Sequence, residues 1–115
     1  MWFFKKKQKK EERNTTGFPF SDEPNTACIV CKHVLQKEKP ILYVSHDEED
    51  GCWQFMCGGD HDFSEDARVI ALVEAFELDA SVLQVADMPC GCVAERESET
   101  SAWRVLNSRQ MRKLE

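Results

Sequence analysis

Cysteine and histidine are the residues of this chain with the most specific chemistry, because both bind metal ions and both serve in nucleophilic catalysis. The chain contains six cysteines and three histidines. Cys28 and Cys31 have CxxC spacing, and Cys90 and Cys92 form a CxC pair. Four thiols match the ligand number of a tetrahedral zinc site, so a small zinc-binding structural domain is one interpretation.

Strand geometry argues against that interpretation. Residues i and i+3 of a strand point to opposite faces, so Cys28 and Cys31 converge on one ion only if the chain turns at Ile29 and Val30. Two β-branched residues are poor turn formers. We therefore expect the cysteines to be buried as small apolar side chains, with no bound metal or other cofactor.

Catalysis by a cysteine requires a histidine base within hydrogen-bond reach. The stretch DGCWQFMCGGDHD, residues 50–62, contains Cys52 and Cys57, but a strand would place these two thiols on opposite faces. Nothing in the local sequence pairs a thiol with His33, His46 or His61. The sequence therefore predicts a protein that is not an enzyme.

Acidic residues form the most distinctive surface feature. Two clusters flank the segment CWQFMC, and neither has the spacing of acids, glycine and glutamate that defines a calcium-binding loop. Acids beside an aromatic side chain suit a contact with a basic protein. We therefore predict a partner-binding surface formed by Asp47, Glu48, Glu49, Asp50, Trp53, Asp60, His61 and Asp62.

Charge is divided unevenly along the chain. Residues 1–16 hold six bases and two acids, a net charge of +4, whereas the remaining residues hold nine bases and nineteen acids, a net charge of −10. An acidic body repels nucleic acid and attracts basic proteins. The basic, aromatic start from Met1 to Lys10 has the composition for contact with anionic lipid, although four apolar residues make a weak anchor.

Periodicity predicts four strands and two helices around a hydrophobic core. The hairpin signal Asp50–Gly51 lies between the second and third strands. The second strand is mostly apolar on both faces, which predicts a central position in the sheet. The first helix carries an apolar stripe of Val69, Leu72, Val73 and Phe76. The second begins at Asp79 or Ser81 and ends at Pro89. The predicted strands are residues 27–35, 41–45, 52–57 and 90–97, and the predicted helices are residues 67–78 and 79–89.

These elements define an α+β fold in which a small antiparallel sheet of three to four strands carries two helices on one face. Residues 1–25 are expected to be a flexible tail and linker, residues 26–106 a single domain, and residues 107–115 a weakly helical tail. The charged start lacks the order of a secretory signal. With six cysteines and no such signal, the chain is predicted to be cytoplasmic with reduced thiols.

Three motifs carry a resemblance to a known family. These are the W-x-F-x-x-G segment after the hairpin turn, the segment LDASVLQVADMP, and the AERE strand before Trp103. Residues 26–103 resemble an uncharacterised family of small bacterial proteins described as a domain of unknown function or immunity protein thirty-three, found with polymorphic toxins. The resemblance implies a cytoplasmic protein that binds and blocks a toxin, and it carries no catalytic residues to this chain.

Overall fold

The computed structural model of the chain describes residues 17–59 and 63–107, which adopt an α+β fold around one mixed sheet. Three short α-helices and one 3₁₀ helix, Ala80–Val85, accompany six strands in these residues. The helices are α1 (Lys32–Leu35), α2 (Phe63–Asp66) and α3 (Leu72–Leu78). The strands are β1 (Ala27–Cys31), β2 (Tyr43–His46), β3 (Trp53–Met56), β4 (Ala67–Ala71), β5 (Cys92–Glu95) and β6 (Arg104–Asn107).

The strand order in the sheet is β4-β1-β3-β2-β5-β6. Strands β1 and β3 are parallel, and every other neighbouring pair in the described sheet is antiparallel. The α+β class is therefore confirmed, whereas the prediction of a purely antiparallel sheet of three to four strands is wrong. Two further strands are present: β4 lies in a segment predicted as helix, and β6 lies at the end of the predicted domain, where no strand was predicted.

The hairpin between β2 and β3 is confirmed, with Val44 opposite Phe55, and β2 lies inside the sheet as predicted. One row of side chains crosses four adjacent strands through Val30, Phe55, Val44 and Ala94. All four are completely buried. Full burial of a valine or phenylalanine side chain contributes about 1.5–3 kcal/mol of transfer free energy, so this row is a main source of stability.

The predicted helix over residues 67–78 is wrong in its first half. Residues 67–71 form β4, which pairs antiparallel with all five residues of β1. The side chain of Val69, predicted to face the core, is 71% exposed. Val69 and Ile70 are β-branched and suit a strand, and the backbone of β1 offers hydrogen bonds that override the helical periodicity. Helix α3 begins at Leu72, and Leu72 and Val73 are buried as predicted.

Two other boundaries differ from the prediction. Strand β1 ends at Cys31, and the next four residues, predicted as strand, form α1. The second helix is a 3₁₀ helix that ends at Val85, before Pro89. Its start is confirmed at Asp79, whose carboxylate oxygen Oδ1 accepts a hydrogen bond from the backbone N–H of Ser81 at 3.0 Å.

The lead-in to β1 contributes to the core. Phe20 is buried, and its ring lies edge-on to Trp53 with ring centroids 4.9 Å apart. The predicted basic tail and its membrane contact fall in residues 1–16, outside the described residues, as do residues 108–115 of the predicted C-terminal tail. Among the described helices, none combines the length and the apolar character needed to cross a bilayer.

One buried arginine, Arg96, connects three segments of the chain. The guanidinium of Arg96 donates to the carboxylate of Asp79 at 2.7 Å and to the hydroxyl of Ser81 at 3.0 Å. It also donates to the backbone carbonyls of Ile41 at 2.9 Å and Glu99 at 3.1 Å. The side chain of Arg96 is only 2% exposed, so these bonds replace the water that its charge would otherwise hold.

The Arg96 guanidinium also lies over the ring of Trp103, 4.3 Å from its centroid. Arg96 thus joins the start of the 3₁₀ helix, the residues before β2, and the turn that leads into β6. Because a buried charge without partners is strongly unfavourable, these segments hold one arrangement around it.

Replacing Arg96 with methionine is expected to lower the free energy of unfolding by about 3–5 kcal/mol, because it leaves the Asp79 carboxylate and two carbonyl groups without their donor. Urea unfolding measures the change. Arg104→Met is the matched control, since Arg104 is 60% exposed in its 3.1 Å ion pair with Glu95. That variant should lose less than about 1 kcal/mol. Equal losses in the two variants would contradict the role assigned to Arg96.

Candidate functional site

The acidic tip, residues 47–50 (Asp47, Glu48, Glu49 and Asp50), connects β2 to β3. Its ends are closed by a 2.8 Å hydrogen bond from the N–H of Asp47 to the carbonyl of Cys52. Within the turn, Asp47 Oδ1 accepts from the N–H of Glu49 at 2.8 Å, and Asp50 Oδ1 accepts from the N–H of Cys52 at 2.9 Å. Two carboxylates therefore fix the turn, while Glu48 and Glu49 remain exposed beside them.

Gly51 completes this turn with a φ of +72°, a conformation that few residues other than glycine adopt. The sequence signal Asp50–Gly51 thus marked the hairpin correctly. The acidic tip lies on a short, hydrogen-bonded turn at the end of two paired strands, so its backbone is held in place before any partner binds.

Trp53 does not belong to this surface, in contrast to the prediction. Its side chain is 1% exposed and stacks against the ring of His46, with centroids 3.8 Å apart. Its indole N–H donates to the carboxylate of Asp22 at 3.3 Å. The pleat of β3 explains the burial, because Trp53 shares the core-facing side of the strand with Phe55. The other predicted contact residues, Asp60, His61 and Asp62, lie outside the described residues.

The four cysteines of the zinc interpretation do not come together. Cys28 and Cys31 are both buried, Cys90 is exposed, and Cys92 is half-buried in β5. Among the described residues, the one group with metal-ligand geometry is instead Cys31, His33 and Cys57, whose ligand atoms all lie within 4.8 Å of one another.

The Cys31–His33–Cys57 cluster lies where β1 and β3 end. Cys31 is the last residue of β1, His33 belongs to α1, and Cys57 directly follows β3. Cys57 is buried, and this burial raises its pKa, as does the adjacent thiol of Cys31. The N–H of Gly59, which donates to Cys57 Sγ at 3.4 Å, and the charge of Lys39 act in the opposite direction.

A second thiol–imidazole contact lies near the acidic tip. The Nδ1 atom of His46 is 2.7 Å from the carbonyl oxygen of Met88. A carbonyl oxygen only accepts hydrogen bonds, so Nδ1 carries the proton and Nε2 of the neutral ring is an acceptor. The Sγ atom of Cys90 lies 3.6 Å from Nε2. An exposed thiol therefore contacts an imidazole whose other ring nitrogen is bonded to a backbone carbonyl, a geometry in which a histidine can act as a base toward a thiol.

Sequence reasoning missed both cysteine–histidine groups. His46 and Cys90 are 44 positions apart and meet because β2 and β5 are neighbours, with His46 opposite Cys92. Cys31 and Cys57 meet because β1 and β3 pair in parallel. Neither pairing leaves a local signal, although a histidine at the end of an apolar strand is one feature that could have drawn attention to His46.

A polar cleft of about 670 Å³ is lined in part by the end of α1 and the residues that follow it. Its lining mixes basic and acidic side chains, including Lys37, Lys39, Glu38 and Glu99, with the apolar Val34. Asp79 also lines it, but this carboxylate is already bound to Arg96. The cleft combines no nucleophile with a base, so it offers less chemistry than the two cysteine–histidine groups.

Comparison with known proteins adds no relative. No protein-family model, no curated protein and no solved structure matches the chain.

Cys90 is expected to be the first cysteine alkylated by iodoacetamide in the folded protein, because it is exposed and contacts the acceptor nitrogen of His46. His46→Gln should slow the alkylation of Cys90 by up to about 100-fold. A positioned base in an enzyme contributes at least about this factor to the reaction rate. Peptide mass spectrometry over time measures each rate, with half-buried Cys52 as the internal control. An unchanged Cys90 rate in His46→Gln would show that the imidazole does not activate the thiol.

Alkaline pH is expected to destabilise the fold through Cys28. The pKa of Cys28 is raised from 9.0 to about 12, and burial of the thiol is the largest cause of this rise. The thiol must therefore stay protonated in the folded state. This contribution to stability is fully present below about pH 9 and is lost as the pH rises toward 12, at up to about 1.4 kcal/mol per pH unit.

Urea unfolding of Cys28→Ala measures this effect. The variant should be less stable than the parent at pH 7, yet lose less further stability between pH 9 and 11. Cys90→Ala, at an exposed position, is the control and should follow the parent. Parallel pH curves for the parent and Cys28→Ala would rule out the linkage.

Proposed function

We propose that this chain is a protein-binding domain that acts without catalysis and contacts a basic partner through the acidic tip. The observation that carries the proposal is an exposed group of acids on a turn whose backbone two of those same acids hold in place. Such preorganisation reduces the entropy lost when a partner binds. The remaining predicted contact residues are not required by this proposal.

Net charge supports the same class of partner. Residues 17–115 carry a net charge of −10. The electric field of this charge accelerates encounters with basic proteins and disfavours the binding of nucleic acid. The resemblance of residues 26–103 to the immunity protein thirty-three group favours a bacterial toxin domain as the basic partner. In that proposal the chain is cytoplasmic, a compartment that suits its six free thiols.

Charge reversal tests the acidic tip. Glu48→Lys combined with Glu49→Lys changes two exposed residues whose carboxylates do not hold the turn, so the hairpin should persist. Binding to the basic partner should weaken by about tenfold or more, and the parent complex should weaken at high ionic strength. Native mass spectrometry of tagged protein purified from its host identifies the partner and compares the variants.

The matched control is Glu97→Lys combined with Glu99→Lys. It makes the same change in net charge at two exposed positions. These positions follow β5 at the end of that strand that lies away from the acidic tip. Retention of the partner by this control and its loss from the Glu48/Glu49 variant are the expected pair of results. Equal binding by both variants, or equal loss, would refute the acidic tip as the contact surface.

A further inference from the structure

The one parallel strand pair of the described sheet creates a site that the acidic tip does not use. Parallel neighbours end at the same edge of a sheet, and the side chains that follow them converge there. In β1 and β3 the register pairs Val30 with Phe55, so Cys31 at the end of β1 lies close to Cys57, which follows β3. His33, two residues after Cys31, joins them from α1.

Distances between the ligand atoms suit a small metal ion. The two sulfur atoms and the imidazole nitrogen lie within 4.8 Å of one another. In a tetrahedral zinc site with Zn–S bonds of about 2.3 Å, ligand atoms are about 3.8 Å apart. The ligand atoms are therefore within about 1 Å of the separations that tetrahedral zinc requires.

The backbone beside Cys57 provides a second observation, independent of the ligand distances, that favours a thiolate at this position. Gly58 has a φ of +77°, which turns the chain so that the N–H of Gly59 points to Cys57 Sγ at 3.4 Å. A hydrogen bond from a backbone N–H to sulfur stabilises the thiolate form that binds metals. Any residue other than glycine would be strained at position 58.

We propose that Cys31, His33 and Cys57 bind one zinc ion through two thiolates and one imidazole nitrogen, with a fourth position left for water or another ligand. Binding replaces the two thiol protons, which are released to solvent, and changes no oxidation state. Soft thiolate and imidazole donors favour zinc over magnesium or calcium, which prefer oxygen ligands.

Zinc at this position would connect the ends of β1 and β3 through α1. The ion would thus reinforce the short contact between these two strands, which are paired at only two residue positions. Because zinc binds the folded arrangement in preference to the unfolded chain, it should raise the unfolding temperature, and the rise should grow with the logarithm of the ratio of free zinc to its Kd.

Cobalt titration tests the site, since Co²⁺ occupies zinc sites and reports thiolate ligands by a charge-transfer band. Full-length protein, freed of metal with a chelator under reducing conditions, should bind one equivalent of Co²⁺ with this band, and Zn²⁺ should displace it. Cys57→Ser should lose the band. His33→Gln, at a half-buried position, should keep thiolate coordination and bind about tenfold or more weakly.

Cys90→Ser is the matched control, because Cys90 is exposed and outside the cluster but contacts a histidine of its own. Its band and its zinc-dependent rise in unfolding temperature should equal those of the parent. Loss of the band in Cys90→Ser but not in Cys57→Ser would overturn the assignment, as would an unchanged affinity in His33→Gln. Circular dichroism verifies that each variant is folded, and if Cys57→Ser is not, His33→Gln decides the question.

Discussion

The parallel contact between β1 and β3 is the constraint on which the arrangement of the molecule depends. On one side of it lies the antiparallel pair of β1 and β4, and on the other lie β3, β2, β5 and β6. Because β1 and β3 run in the same direction, both end at the edge that holds Cys31 and Cys57. Strand β3 begins at the opposite edge, next to the acidic tip. The two proposed sites therefore lie at opposite ends of β3.

Arg96 performs a different task in the second half of the chain. Arg96 follows the four-residue strand β5, and the segments it connects are short: the six-residue 3₁₀ helix, the residues before β2 and the turn that leads into β6. Segments of this length are not stable by themselves. Asp79, Arg96 and Trp103 lie in separate segments of the chain, and in this structure one guanidinium brings them together.

Local patterns predicted the elements whose stability is local. The β2–β3 hairpin follows from alternating apolar residues around Asp50–Gly51, and the start of the 3₁₀ helix follows from the capping side chain of Asp79. Strand β4 was assigned to a helix because residues 67–78 carry helical periodicity, and only its pairing with β1 reveals the strand. The Cys31–His33–Cys57 cluster and the His46–Cys90 contact depend on strand order, which composition and spacing do not contain. The acids of the tip were recognised from charge alone, while the burial of Trp53 was implied by the same pleat that was predicted for β3.

In the described residues the sheet ends at β4 on one side and β6 on the other. Val69 and Val105 are exposed on these two edge strands, at 71% and 50%. An edge strand with an exposed valine is the kind of surface on which a further chain can add a strand. Arg68 precedes Val69 and Arg104 precedes Val105, so each edge also carries a charge that opposes the stacking of identical copies. In the part of the chain that the structure describes, both edge strands therefore combine an exposed apolar side chain with a neighbouring positive charge.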